Sequence, residues 1–259
     1  MSKTAHITSD LPAPIDVEAE LDAIARRYRQ AGGVGISVLN LVGGSAESLL
    51  KTLPKGVRGR LEQATVSALT QAMRAAHSSR AMVPDQKSWL NQAASAAMGA
   101  VGGAGGLPTA LAELPVTTTL LLRVIQQVAV EKGFDPEAEN VQFDCVQVFS
   151  AAGPLAADDS ADLSFLAARV TLTGKAMQTV IARVAPKLAV VLGQKLAAQA
   201  VPILGAVAGA ATNYAYTSYY EDMAHVHFGL RKLAIDADVP HAELVAGLRQ
   251  RLGRPPVKL

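Results

Sequence analysis

The stretch VPILGAVAGAATNYAYTSYYEDMAHVHFGLRKLA, residues 201–234, decides how the chain is read. After Val201-Pro202 it can run as one helix of about thirty residues. Its first half lies in a longer uncharged segment, Leu196 to Tyr220, where alanine and glycine outnumber leucine and isoleucine. A second uncharged segment spans Ser88 to Ala112 and contains GAVGGAGGLP, residues 99–108. Strand signals are almost absent: there is no Asn-Gly hairpin, and β-branched clusters such as VTTTLLL sit within helical periodicity. The expected fold is all-α, a multi-helix bundle with two Gly/Ala-rich apolar helical hairpins that turn near Pro108 and Pro202.

Working outward, Asp16 begins an amphipathic helix with Val17, Leu21, Ile24 and Ala25 on one side, ending near Gly32 and Gly33. A short apolar run, ISVLN, follows. Ser45 reads as the N-cap of SAESLLKTL, and Pro54 introduces a helix reaching about Ser79. Pro115 either kinks its helix or opens a fresh one that runs to about Lys132, where Gly133 closes it. Asp135, Pro136 and Glu137 start the next helix. Asp158 to Ala185 reads as a single helix ended by Pro186, followed by KLAVVLGQKLAAQA and a last helix from about Pro240 to Leu252. The chain thus divides into a flexible leader, 1–15, one helical domain, 16–252, and a loose tail, 253–259.

Half the residues are hydrophobic and 18% are charged, an excess of apolar surface that a core or a membrane must absorb. The 24 basic and 22 acidic residues leave a net charge of +2, too balanced for a protein that tracks nucleic-acid phosphates. Basic residues cluster locally at Lys51, Lys55, Arg58, Arg60, Arg74 and Arg80, and again at Arg249, Arg251, Arg254 and Lys258. Such clusters are solvated helix faces or attract anionic headgroups. The lone Cys145 excludes an internal disulfide, and the first twenty residues contain no apolar signal core, so a cytoplasmic location is expected.

Each uncharged segment is long enough as a helix to cross a hydrocarbon core of ~30 Å. Alanine, glycine and an interrupting proline make both poor spans, which favours hairpins packed in a core or dipping into one leaflet. Small residues four apart, Gly99 and Gly103, Gly102 and Gly106, Gly205 and Gly209, allow close backbone approach. Trp89 opens the first segment, and Tyr214, Tyr216, Tyr219 and Tyr220 crowd the end of the second, a placement expected of membrane or lipid contact; junctions between helices use such rings equally. Glu113 opposes deep insertion, because an unpartnered carboxylate facing lipid costs about 2 kcal/mol or more.

The run GAVGGAGGLPTALAELPVTTTLLLRVIQQVAVEKGFDPE, with VPILGAVAGAATNYAYTSYYEDMAHVHF far downstream, resembles the bacterial EcsC protein family. The likeness extends over roughly Ala25 to Leu233. It implies a helical cytoplasmic protein, often linked by gene neighbourhood to transport systems, and it brings no catalytic residues with it.

Phosphate-loop, dinucleotide, nucleophile-elbow and H-E-x-x-H patterns are all missing. Asp222 and His225 share a helix face, with Glu221 and His227 beside them, but neither pair supplies enough ligands for a metal. Glu113, Arg123 and Gln127, with Asp222 and His225, are the candidates for a polar pocket between helices. No catalytic residue, metal or cofactor is assigned. The leading expectation is a noncatalytic, peripheral membrane-associated accessory protein on the inner face of the cell membrane, contacting lipid or a membrane transport protein. The alternative is a soluble enzyme or hydrophobic-ligand carrier with a pocket near Glu113 and His225.

Overall fold

The computed structural model describes residues 15–31, 33, 50–51, 53–82, 92–98, 100, 106–151, 153, 163–167, 176–199 and 205–253. Within them every regular element is helical: α1 (Val17–Gln30), α2 (Lys55–Arg58), α3 (Leu61–Met82), α4 (Gly106–Glu131), α5 (Glu139–Val148), α6 (Ser164–Ala167), α7 (Ala176–Gln199), α8 (Gly205–Asp236) and α9 (His241–Arg251). Residues 92–98 are also helical. Trp89, Gly99 and Gly103, the run ISVLN and the Ser45 cap lie outside the described residues. So do residues 1–14 of the leader.

The long helix expected over 201–234 is α8. It is apolar on nearly every side, and such a helix is stable only when surrounded. Here α1, α4, α5, α7 and α9 all pack against it. Its neighbour α4 runs between α3 and α8, with Leu121, Leu122, Ile125 and Val128 buried. In the β-branched run of α4 three threonine hydroxyls turn back one turn, Thr118 to the Leu114 carbonyl at 2.7 Å, Thr119 to that of Pro115 at 2.8 Å and Thr117 to the Glu113 carboxylate at 2.8 Å, and packing against α3 and α8 holds the run helical.

The helix ends follow local chemistry. The Asp16 carboxylate accepts from the Ala19 N–H at 3.0 Å and caps α1. At the end of α4, Gly133 takes φ +84, while Gly133 N–H and Phe134 N–H donate to the Val130 and Ala129 carbonyls at 2.8 and 2.9 Å. That reciprocal pair closes the helix. Asp135 begins the turn into α5, accepting from the Glu137 N–H at 2.9 Å, although the helix itself starts at Glu139.

Three boundaries differ from the sequence reading. Pro186 lies inside α7 instead of ending a helix, as Pro115 lies inside α4. A proline removes one backbone bond from a helix; around Pro186 the buried Val184, Ala185, Leu188 and Leu192 supply tertiary packing that holds the axis through the gap. Pro108 falls in the first turn of α4, where an absent N–H breaks no intrahelical bond. The helix expected from Pro54 to Ser79 is divided at Gly59 and Arg60 into α2 and α3.

Among the described residues no helix is long and apolar enough to cross a membrane. Tyr216, Tyr219 and Tyr220 correct the expectation of interfacial aromatics: all three rings are buried between helices, and Tyr214 alone of the four is exposed. The Tyr216 hydroxyl donates to the Val191 carbonyl of α7 at 2.9 Å, and the Tyr220 ring meets those of Phe149 and Tyr219 edge-on. Burial pushes the pKa of all three phenols above its ordinary value.

Candidate functional site

Glu113 is the first residue after one uncharged segment, and Lys195 is the last before the other. The fold brings them together. Lys195 Nζ, on α7 and without solvent exposure, lies 3.3 Å from Glu113 Oε1 on α4. The same oxygen accepts from Thr117 Oγ1 and from Asn213 Nδ2 of α8, each at 2.8 Å. Asn213 Nδ2 also donates to the Ser95 carbonyl at 2.8 Å, and Thr217 Oγ1 donates to Ser95 Oγ at 2.6 Å. A little further along, Gln92 Nε2 donates to Glu221 Oε2 at 3.0 Å. Four stretches of helix, residues 92–98, α4, α7 and α8, therefore meet at one buried polar node.

The node is neutral as a whole and unevenly satisfied. Burial lowers the Lys195 ammonium's affinity for its proton, and the charge and hydrogen bond of Glu113 partly restore it. Glu113 Oε2 and Asn213 Oδ1 are buried with no hydrogen-bond partner among the described residues. Such groups are costly in a low-dielectric interior.

The residues expected to share a pocket with Glu113 do not gather there. At 1.5 Å of rise per residue, Arg123 and Gln127 stand about 15 and 21 Å further along α4. Gln127 Nε2 instead donates to Glu131 at 3.1 Å on the exposed face. Asp222 and His225 sit with Arg27 and Glu131, beside a cleft of about 380 Å³ lined by Arg27, Lys132, His225 and Lys232. Arg27 Nε is 3.4 Å from Asp222 Oδ1, and His225 Nε2 is 3.8 Å from Glu131 Oε2. Burial pushes the Asp222 carboxyl up to about 6 against the pull of Arg27. Burial, with Arg27 and Lys132 adding to it, pushes His225 down to about 4. Among the described residues no three His, Cys, Asp or Glu side chains are placed to hold a metal ion.

His227 points the other way. Its ring stacks on Phe165, and Nε2 lies 3.3 Å from Asp144 Oδ1. Arg231 pairs with the other Asp144 oxygen and lies over the Phe134 ring, 4.6 Å from its centroid. Burial pushes the Asp144 carboxyl up, but His227 and Arg231 outweigh it and hold it below its ordinary value.

The described residues also frame an apolar cleft. Pro54, Val57, Leu61, Ala64, Leu114 and Pro115, from α2, α3 and the start of α4, enclose about 630 Å³, and Arg60 stands at its edge. That volume lies within the range of small-molecule pockets, ~300–1,000 Å³. Arg60 is the one cation among the residues that line it, and Lys55 and Arg58 are exposed on the adjoining α2. Leu61, one of the lining residues, packs closely on α7, where a Cβ added at Gly193 would stand 2.9 Å from Leu61 Cδ1 and 2.8 Å from Leu50 Cδ2.

The sequence model of the EcsC protein family matches residues 45–233, which contain both the polar node and the cleft. The chain belongs to the EcsC protein family. No curated protein and no solved structure matches it. Helices α1 and α9 fall outside the matched span of this EcsC-family chain, whereas α2 to α7 fall wholly inside it.

Proposed function

We propose that this EcsC-family chain is a noncatalytic accessory protein that attaches peripherally to a membrane by binding an anionic amphiphile, its acyl chain in the cleft between α2, α3 and α4. One observation carries the reading: a pocket-sized apolar cleft lined by Arg60, with Lys55 and Arg58 exposed on the short helix α2 that forms part of its wall. Apolar walls suit a hydrocarbon chain, at about 0.8 kcal/mol for each buried methylene. The three cations suit an acidic headgroup, each contributing about 1 kcal/mol near an anionic surface. On this reading the protein acts at the inner face of the cell membrane, where a membrane transport protein is the competing contact.

Flotation with vesicles tests it. The protein is expected to float with vesicles containing phosphatidylglycerol at low salt and to stay behind with pure phosphatidylcholine. Arg60→Glu and the cleft-filling Ala64→Trp should each reduce flotation while leaving the helical circular dichroism intact. Equal flotation of all three proteins, or none by the unaltered protein, overturns the reading.

A further inference from the structure

The Glu113–Lys195 node is an unusual way to join the centre of an otherwise greasy bundle. Lys195 has no exposure and the Glu113 side chain only 8%, so both charges lose their hydration when the helices close. Glu113 gathers its donors on Oε1, and Oε2 receives none from the described residues. Asn213 repeats the pattern, with its amide nitrogen engaged twice and Oδ1 unpartnered. When these helices part, water restores every one of those interactions. When apolar side chains part, water restores none. The node therefore makes separation easier here than an equally sized apolar contact would.

The other end of α8 is built differently. Met223, Ala224, Val226, Phe228, Leu230 and Leu233 are buried there against apolar neighbours. One helix thus has an end whose charged contact is buried on both sides, beside Asn213 and Thr217, and an end beyond Tyr220 with an apolar centre, where each polar contact, Asp222 with Arg27, His225 with Glu131 and Asp144 with His227 and Arg231, includes a side chain at least a fifth exposed. We infer that the Glu113–Lys195 node is a release point: residues 92–98, α4 and α7 separate from the first half of α8 as a local opening, while its second half stays packed. Such openings occur well below the free energy of global unfolding. This opening belongs to the folded chain in solution, independent of any lipid.

Hydrogen exchange read by mass spectrometry, without vesicles, tests the inference on the full chain. Amides of residues 211–219 are expected to exchange on the order of tenfold faster than those of residues 223–233 in the same helix. Equal protection along α8 overturns it. Replacing both charges, Glu113→Leu with Lys195→Met, should slow exchange at 211–219 by about tenfold or more, because buried ion pairs replaced by apolar residues are often stabilised. Faster exchange there in a folded double variant overturns it too. Should that variant misfold, Glu113→Gln with Lys195→Met removes both charges while keeping an acceptor for Thr117 and Asn213, with the same outcomes. The comparison of the two halves of α8 in the unaltered protein decides even if neither folds.

Discussion

Lys195→Met removes one charge of the buried pair with little change in volume. At 3.3 Å and an effective dielectric of ~20, the lost attraction is about 5 kcal/mol. The methionine returns part of it through packing, whereas Glu113 remains buried with Thr117 and Asn213 as its remaining donors. Removing one partner of a buried pair typically costs about 3–5 kcal/mol, and that is the expected loss. At about 2–4 °C per kcal/mol for a chain of this size, the Tm should fall by about 6–20 °C. Urea unfolding followed by circular dichroism at pH 7 measures it, provided the slope is unchanged. Glu113→Gln should destabilise in the same way, and the double variant should be more stable than either single variant. A Lys195→Met loss below about 1 kcal/mol would place the pair among solvent-screened surface bridges and refute the reasoning. So would additive losses in the double variant.

Gly153 has φ +86, and a Cβ there would stand 2.9 Å from Val191 Cγ1 on α7, so Gly153→Ala should cost about 1–3 kcal/mol in urea unfolding. Arg251 pairs with Glu18 and with Asp22 across α9 and α1, but both carboxylates are well exposed, and Arg251→Ala should therefore cost about 1 kcal/mol or less, with the difference shrinking in high salt. His225 and Asp222 oppose one another in acid. The histidine, pushed down to about 4 from 6.5, withdraws stability as pH falls through that window. The carboxyl, pushed up to about 6 from 3.8, adds stability as pH falls through an overlapping one. In Tm measurements against pH, His225→Gln should match the unaltered protein's slope above pH 7 and gain on it steadily below 6.5. Parallel curves would show that His225 titrates normally.

The helical class was legible because it depends on periodicity, which α1 and α4 display, on a long proline-free run in α8, and on local caps such as Asp16 and Gly133. The misread boundaries at Pro186 and Gly59 depend on tertiary packing, which sequence spacing does not report. The polar node was half legible. Glu113 stands as a charge beside one uncharged run, and Lys195 occupies the equivalent position at the other. Their opposite signs at the edges of two apolar segments were the available signal. Asn213, Thr117 and Ser95 gave none, since short polar residues are common in helices and only the fold shows which share a face. The tyrosines misled because a ring with a polar tip suits a wet interface and a helix junction equally, and Tyr216 finds its partner in a buried carbonyl.

The family match ends at residue 233, yet α8 continues to Asp236, and its side near Gly229 is covered by Ile24 of α1, whose atoms a Cβ there would meet at 3.5 Å. Leu21 packs in turn over Gly247 of α9, alongside the buried Leu244, Val245 and Leu248. These terminal helices act as a collar recruited from both ends of the chain. A fragment cut to the shared region would bare a greasy stripe along its longest helix and should be recovered as aggregate.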